Sequence, residues 1–218
     1  MKIGILGSGV VAQALGAGLA RHGHAVMLGS RDPHKLADWA LRSGDGAKGE
    51  IATGSVAQAA AHGDLVILAV HGSAALTVAQ AGGAALNGKT VIDACNPIAD
   101  AAPVDGVLRY TTGPNESLME ALQAALPAVH FVKAFNSVGS AHMVDPHFPG
   151  GQPTMFIAGN DDEAKAETTA LLQQVGWDVA DMGSAAAARA IEPLAMLWCI
   201  PGLRSNQWSH AFKLLKAA

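Results

Sequence analysis

The sequence predicts an α/β fold, a doubly wound parallel sheet with helices on both faces and a small C-terminal α/β extension. Three observations predict it. Short apolar runs alternate with helix-like segments along the 218 residues. The first run, Ile3-Gly4-Ile5-Leu6, passes directly into Gly7-Ser8-Gly9-Val10-Val11-Ala12, a G-x-G-x-x-A turn between a strand and a helix. A later run, Leu65-Val66-Ile67-Leu68-Ala69-Val70, is apolar without a break, as a strand covered on both faces must be. Together they describe a Rossmann-type sheet over residues 1–150 that binds a dinucleotide, with residues 151–218 as a C-terminal βαβα extension packing on it.

The first turn sets the chemistry. Gly7 permits the tight turn after the strand, Gly9 lets a pyrophosphate approach the backbone, and Ala12 keeps helix and strand close. The helix N-terminus offers free N–H groups and partial positive charge to the phosphates. The second strand, Ala25-Val26-Met27-Leu28-Gly29, says which dinucleotide. An NAD site places a carboxylate at its end for the ribose 2′-hydroxyl. Here Ser30-Arg31 occupies that place, and the first carboxylate is Asp32. A hydroxyl and an ever-charged, forked guanidinium suit a 2′-phosphate, and Lys35 adds a second cation one turn on. The reading is NADP(H). Lys2 followed by apolar residues has the look of a secretory signal, but the glycine spacing and the Arg21-His22 break argue against one.

The remaining elements follow in order. Residues 11–21 read as the first helix, with His22 and His24 as surface residues of the turn leaving it. Residues 33–41 read as the second, with Asp32 as N-cap and Pro33 in the first helical position. Residues 51–53 form a short strand, and Ser55 caps a helix through residue 61. The strand at 64–70 ends at the sheet edge where ligands bind, so Ala69, Val70 and His71 border the site, and Ser73 can cap the next helix. His71 is a polar contact, a proton donor or a plain loop residue. The strand at 88–97 reaches the same edge. Asn96 before Pro97 bonds nicotinamide or ribose, or holds its own turn, while Asp93 serves a local hydrogen bond. After a helix at 118–126 comes a strand ending in Lys133, Ala134 and Asn136. Lys133 is an acid or cation near substrate, or a solvated strand-end charge. The Pro- and Gly-rich stretch 145–153 reads as a lid-like loop or internal boundary. A strand at 154–159, a helix at 161–175, a strand at 177–183 and a helix at 185–199 with an expected kink or break at Pro193 lead to a terminal helix or tail at 206–216.

Composition narrows the function. Half of the residues are apolar and 15% are charged, so the chain can bury a sizeable core. A net charge of −4 without a basic block argues against nucleic acid as a partner. No apolar run reaches membrane-spanning length. Cys95 and Cys199 lie in apolar surroundings without metal-ligand spacing, as buried thiols of a cytoplasmic protein do, and no metal site is expected.

Taken together, Gly7-Ser8-Gly9-Val10-Val11-Ala12, Gly29-Ser30-Arg31-Asp32-Pro33, Val66-Ile67-Leu68-Ala69-Val70, Val91-Ile92-Asp93-Ala94-Cys95-Asn96-Pro97, Val132-Lys133-Ala134-Phe135-Asn136-Ser137-Val138-Gly139, Phe156-Ile157-Ala158-Gly159-Asn160-Asp161-Asp162, Glu192-Pro193-Leu194-Ala195-Met196-Leu197 and Ala211-Phe212-Lys213-Leu214-Leu215 resemble the coenzyme F420-dependent NADP oxidoreductases. A similar module forms the NADPH-binding part of membrane ferric reductases. The resemblance implies that Ser8, Gly9, Val10 and Val11 touch the pyrophosphate and that Ser30, Arg31 and Lys35 hold the 2′-phosphate. It also implies that Ala69-Val70, Asn96-Pro97 and Ala134 to Asn136 border the nicotinamide and its ribose. Members of the family commonly carry proline where His71 stands. Their C-terminal helices contribute to a homodimer interface and the acceptor pocket.

The implied activity is hydride transfer between NADPH and a deazaflavin (F420) or flavin-like acceptor. Such transfer needs proximity and alignment rather than a catalytic triad, and none is present in the sequence. Alternative readings are reduction of a small imine or carbonyl compound with His71 or Lys133 as proton donor, reduction of a ferric chelate, and an NADPH-sensing module without turnover.

Overall fold

The computed structural model describes residues 1–217. In chain order the elements are β1 (Lys2–Leu6), α1 (Val10–Arg21), β2 (Ala25–Gly29), α2 (Ala37–Gly44), β3 (Ile51–Gly54), α3 (Val56–His62), β4 (Leu65–Leu68), α4 (Gly72–Gly82), β5 (Thr90–Asp93), α5 (Leu118–Ala125), β6 (His130–Lys133), β7 (Thr154–Gly159), α6 (Asp162–Gln174), β8 (Asp178–Asp181) and α7 (Ala188–Ser205). The strands form one sheet in the order β3-β2-β1-β4-β5-β6-β7-β8. The first six are parallel. β7 joins β6 antiparallel, and β8 runs parallel to β7.

Side chains along each strand alternate between two cores, one on each face of the sheet. Ile3, Ile5, Ile67, Ile92 and Val132 point to the face covered by α1 and α6, where Leu15, Leu19, Leu171 and Trp177 meet them. Leu6, Val66, Leu68, Val91 and Phe131 point to the other, against Ala59, Ala75 and Met119 of α3, α4 and α5. All four residues of β4 are fully buried, as its unbroken apolar run requires. Helices bring small residues to the sheet: a Cβ on Gly4 would lie 2.1 Å from the Ala59 carbonyl oxygen, so α3 rests directly on β1.

Ser55 caps α3 as expected, and Gln58 completes a reciprocal capping box. Elsewhere local chemistry overrides the expected boundaries. Residues after Asp32 begin as a 3₁₀ turn, Pro33–Leu36, and α2 starts only at Ala37. The Asp32 side chain makes no cap bond, and the Asp32 N–H donates to the Ser30 hydroxyl at 3.1 Å in the turn before it. Ser73 is not a cap: α4 begins at Gly72 with His71 as its N-cap residue. α7 does not break at Pro193 but continues to Ser205 through both Pro193 and Pro201. Residues 206–217 are not helical. Asn206 ends α7 in the left-handed region at φ 53°, and the tail folds back. Trp208 covers Gly202, where a Cβ would meet its ring at 2.2 Å. The Trp198 indole donates to the His210 carbonyl at 2.8 Å, and the Thr154 N–H donates to that of Phe212 at 2.9 Å.

The turn histidines are also partly sequestered. His24 is buried and bonded to Gln174 at 3.0 Å, and His22 meets Asp145 at 2.8 Å. Among the described residues no group of three or more His, Cys, Asp or Glu is placed to hold a metal, and no helix is long and apolar enough to cross a membrane.

Candidate functional site

The sheet order reverses at β1. The chain lays β2 and β3 on one side of it, then crosses to lay β4, β5 and β6 on the other. Loops leaving β1 and β4 therefore diverge and open a crevice at the carboxyl ends of the strands, where ligands of open α/β sheets bind. A cleft of about 770 Å³ occupies that place. Residues 7–11, 69–74 and 94–96 line it with Ser30 and Arg31.

The two glycines of the first turn serve different purposes. Gly7 has φ 147°, and a Cβ there would lie 2.1 Å from the Ala69 carbonyl oxygen, so the fold itself demands glycine. Gly9 has φ −76° and ψ −179°, ordinary extended backbone, and a Cβ there would meet nothing within 4 Å. Neither the backbone conformation nor any neighbour among the described residues excludes a side chain at position 9, although glycine also suits an N-cap. The open space is where a ligand would need to reach the backbone. Gly9 is also the N-cap of α1 without any side-chain cap bond, and the first turn of that helix holds no carboxylate. Its N–H groups and partial positive charge are thus available to an anion. The Gln13 amide donates to the Ser8 carbonyl at 2.8 Å and closes the turn behind them.

At the β2 end of the cleft, Arg31 enters no ion pair among the described residues. Lys35 lies outside the lining, exposed, with its ammonium 3.6 Å from Asp32. No Asp or Glu is among the residues that line the cleft. At roughly 4.8 Å per strand, the loop after β4 lies about 10 Å from Arg31 across the sheet, and the loop after β5 about 14 Å. A Cβ on Gly72 would strike the Asn96 carbonyl oxygen at 2.0 Å, so those two loops are pressed together. His71 stands on the first of them with Nδ1 3.0 Å from the Ser73 Oγ.

The far wall is fixed by two amides. Asn96 donates from Nδ2 to the Asn136 carbonyl at 2.8 Å, and Asn136 donates back to the Asn96 Oδ1 at 3.2 Å and to the Ile191 carbonyl at 2.9 Å. Asn96 thus ties its loop to the one after β6, rather than its own turn, while lining the cleft. Asn136 and Ala134 are buried behind it, and Pro97 lies outside the lining. Between Ala134 and Asn136, buried Phe135 has φ 60°, a left-handed conformation that is rare for a bulky residue.

Beneath this wall the structure departs from the sequence reading. Lys133 is neither a solvated strand-end charge nor a cation in the cleft. It is fully buried, 2.5 Å from Asp93, 2.8 Å from Glu192 and donating to the Cys95 carbonyl at 3.0 Å. Burial alone pulls its pKa down, but the two carboxylates outweigh that and leave it raised. It is an ammonium at neutral pH, sealed from solvent, and is not a proton donor to substrate. Asp93 does make the expected local bond, accepting from the Cys95 N–H at 2.9 Å. Glu192 also accepts the Leu118 and Met119 N–H groups at 3.0 Å, tying α7 to the start of α5. Burial and neighbouring Asp93 raise the Cys95 thiol pKa well above its ordinary value, so it is no nucleophile. Cys199 is only half-buried.

Sequence reasoning did not find Glu192. A signal existed: Asp93 and Lys133 close two adjacent apolar strands in register, and two buried charges call for a further partner. It also passed over Val56, Thr77, Val78 and Ile98, which add to the lining from α3, α4 and the loop after β5.

The chain is similar to known proteins along nearly all of its length. The sequence profile of the family described as NADP oxidoreductase, coenzyme F420-dependent, matches residues 2–97. The F420-dependent NADP reductase of Methanocaldococcus jannaschii is 30% identical over 204 residues, 90% of each chain. Metalloreductase STEAP3 of Rattus norvegicus is 31% identical over 209 residues, 93% of this chain, which spans only 38% of that protein. A solved structure of a candidate F420-dependent NADP reductase from Arthrobacter sp. FB24 superposes with a TM-score of 0.90 at 31% identity, covering 99% of this chain and 100% of that one.

Proposed function

Because the chain belongs to the coenzyme F420-dependent NADP oxidoreductase family, and is an NADP-dependent oxidoreductase, we propose that it passes hydride between NADPH and a deazaflavin (F420) or flavin-like acceptor. The observation that carries the cofactor's placement is Gly9, whose missing Cβ leaves the uncapped start of α1 open to the cleft. The backbone of Ser8, Gly9, Val10 and Val11 receives the pyrophosphate at the start of α1. Ser30 and the unpaired Arg31 receive the 2′-phosphate, and Lys35 joins them only by leaving Asp32. Ala69, Val70, His71 and Asn96 then flank the nicotinamide end, about 10–14 Å away by strand spacing. When bound, the nicotinamide supplies the hydride. The protein supplies alignment: small residues and backbone on the floor of the cleft, and the Asn96–Asn136 pair holding its wall.

The likeness to the rat metalloreductase supports a second reading, in which a ferric chelate is the final acceptor. Homodimerisation through α7 belongs to the same proposal. Leu197 and Leu203 of that helix are 55% and 40% exposed, apolar side chains open to a second copy.

The test is an acceptor screen under NADPH with F420, FMN, FAD and ferric citrate side by side. NADPH oxidation with F420 or a flavin is the expected result. Oxidation with ferric citrate alone would favour the second reading, and oxidation with none of the four would overturn both.

A further inference from the structure

We propose that His71, held by Ser73, is the proton donor that accompanies hydride transfer in this protein. The inference rests on the oxidoreductase reading above, and it follows from what the cleft contains. Reduction of a deazaflavin, flavin, imine or carbonyl by NADPH adds a hydride to carbon or nitrogen and a proton to a heteroatom of the same acceptor. One equivalent of NADPH and one proton are consumed, and NADP⁺ and the reduced acceptor are released. The two-electron reductant is the bound cofactor. The proton must come from an ionisable group or water at the nicotinamide end.

The described residues leave one side chain for that role. Of those lining the cleft only Arg31, Cys95 and His71 ionise. Arg31 is a permanent cation at the opposite end. Cys95 is buried, with its Sγ turned to the Leu68 carbonyl at 3.5 Å. Lys133 is locked between Asp93 and Glu192 behind the wall. His71 is exposed in the cleft, on the loop that follows β4. No carboxylate faces it from the cleft lining, α4 carries no charged side chain, and α1 carries none before Arg21.

The hydrogen bond to Ser73 gives the imidazole a direction. Its Nδ1 lies 3.0 Å from the Ser73 Oγ, and Nε2 has no partner among the described residues. In the imidazolium, Nδ1–H donates to Ser73 and Nε2–H is free for an acceptor. After transfer the neutral ring keeps Nδ1–H on Ser73 and presents an Nε2 lone pair, which solvent at the exposed cleft mouth reprotonates. One ring orientation and one tautomer thus serve the whole cycle. Ser73 is a positioning residue in this scheme. Its place in the first turn of α4, two residues beyond the N-cap His71, puts its hydroxyl beside the ring.

Two measurements decide the matter. The first needs no turnover: ¹⁵N NMR of the full-length protein labelled at histidine, with His71→Asn assigning the signal. Neutral His71 is expected as the Nδ1–H tautomer, and Ser73→Ala is expected to move it toward Nε2–H. An Nε2–H ring in the wild type, unaffected by Ser73→Ala, would overturn the proposal. The second uses the acceptor that the screen identifies. In the wild type kcat is expected to fall along a limb toward high pH, with a solvent deuterium isotope effect. In His71→Asn the limb and the isotope effect are expected to disappear, with kcat lower by about 100-fold or more and NADPH affinity within about twofold of wild type. An unchanged limb and isotope effect in His71→Asn would overturn the proposal while leaving the reductase reading intact. A screen without any reduced acceptor would overturn the reductase reading and this proposal with it.

Discussion

Replacing Lys133 with methionine is expected to cost about 3–5 kcal/mol of folding stability. Its Nζ is fully buried and touches Asp93, Glu192 and the Cys95 carbonyl, and no solvent replaces it when it goes. Methionine fills similar volume but leaves two carboxylates facing each other in the interior. The loss falls on β5, β6, α5 and α7 together, because Asp93 holds the Cys95 N–H and Glu192 holds the N–H groups that open α5. Against the 5–15 kcal/mol typical of a domain, that is enough to unfold a marginal protein. Urea denaturation with an unchanged slope reads it directly. A midpoint equal to wild type would show that the cluster contributes nothing net. The wild type offers a companion check in pH. Since the folded pKa of Lys133 is raised, its contribution is complete below the unfolded lysine value of about 10.4 and declines as pH rises through the folded one.

The second large effect separates binding from folding. Gly9→Val is expected to leave stability within about 1 kcal/mol of wild type, because the backbone at position 9 is extended and a Cβ there meets nothing within 4 Å. The same side chain stands where the pyrophosphate must approach the N–H groups of α1. Losing two charge-assisted hydrogen bonds, each about 1.5–3 kcal/mol, weakens NADPH by at least about 100-fold. Gly7→Ala is expected to do the reverse in kind. It strains a left-handed backbone and drives a Cβ onto the Ala69 carbonyl, so stability falls first. Thermal unfolding and NADPH titration of both variants test this pair of expectations. Full NADPH affinity in folded Gly9→Val would remove the pyrophosphate from that place.

The parallel sheet was legible because its evidence is local. The unbroken run at Leu65, the glycine turn after Leu6 and the capping Ser55 each state their own geometry, and all three are found. Boundaries set by competition between neighbouring side chains were less so. Asp32 makes no cap bond at the 3₁₀ turn that follows it, and His71 displaced Ser73 as N-cap residue. The helix at Pro193 continued because its packing against the sheet outweighs one missing backbone bond. One side of the cleft, from Gly7 to Arg31, was visible in sequence as a motif, and the strand ends at Ala69, Val70, His71 and Asn96 were placed at the other. What holds that second side depends on contacts between residues 40 or more positions apart. Asn96 with Asn136, and Lys133 with Glu192, meet only once β5, β6 and α7 are assembled. A strand-end lysine looks solvated until the elements that cover it are known.

The central claim is that the cation beyond β2 selects the 2′-phosphate. Calorimetric titration of NADPH and NADH into wild type and Arg31→Ala tests it most directly. Wild type is expected to hold NADPH more tightly than NADH, and Arg31→Ala to lose about 10- to 100-fold for NADPH with little change for NADH. Equal affinity for the two coenzymes in the wild type, unaltered in Arg31→Ala, would contradict it.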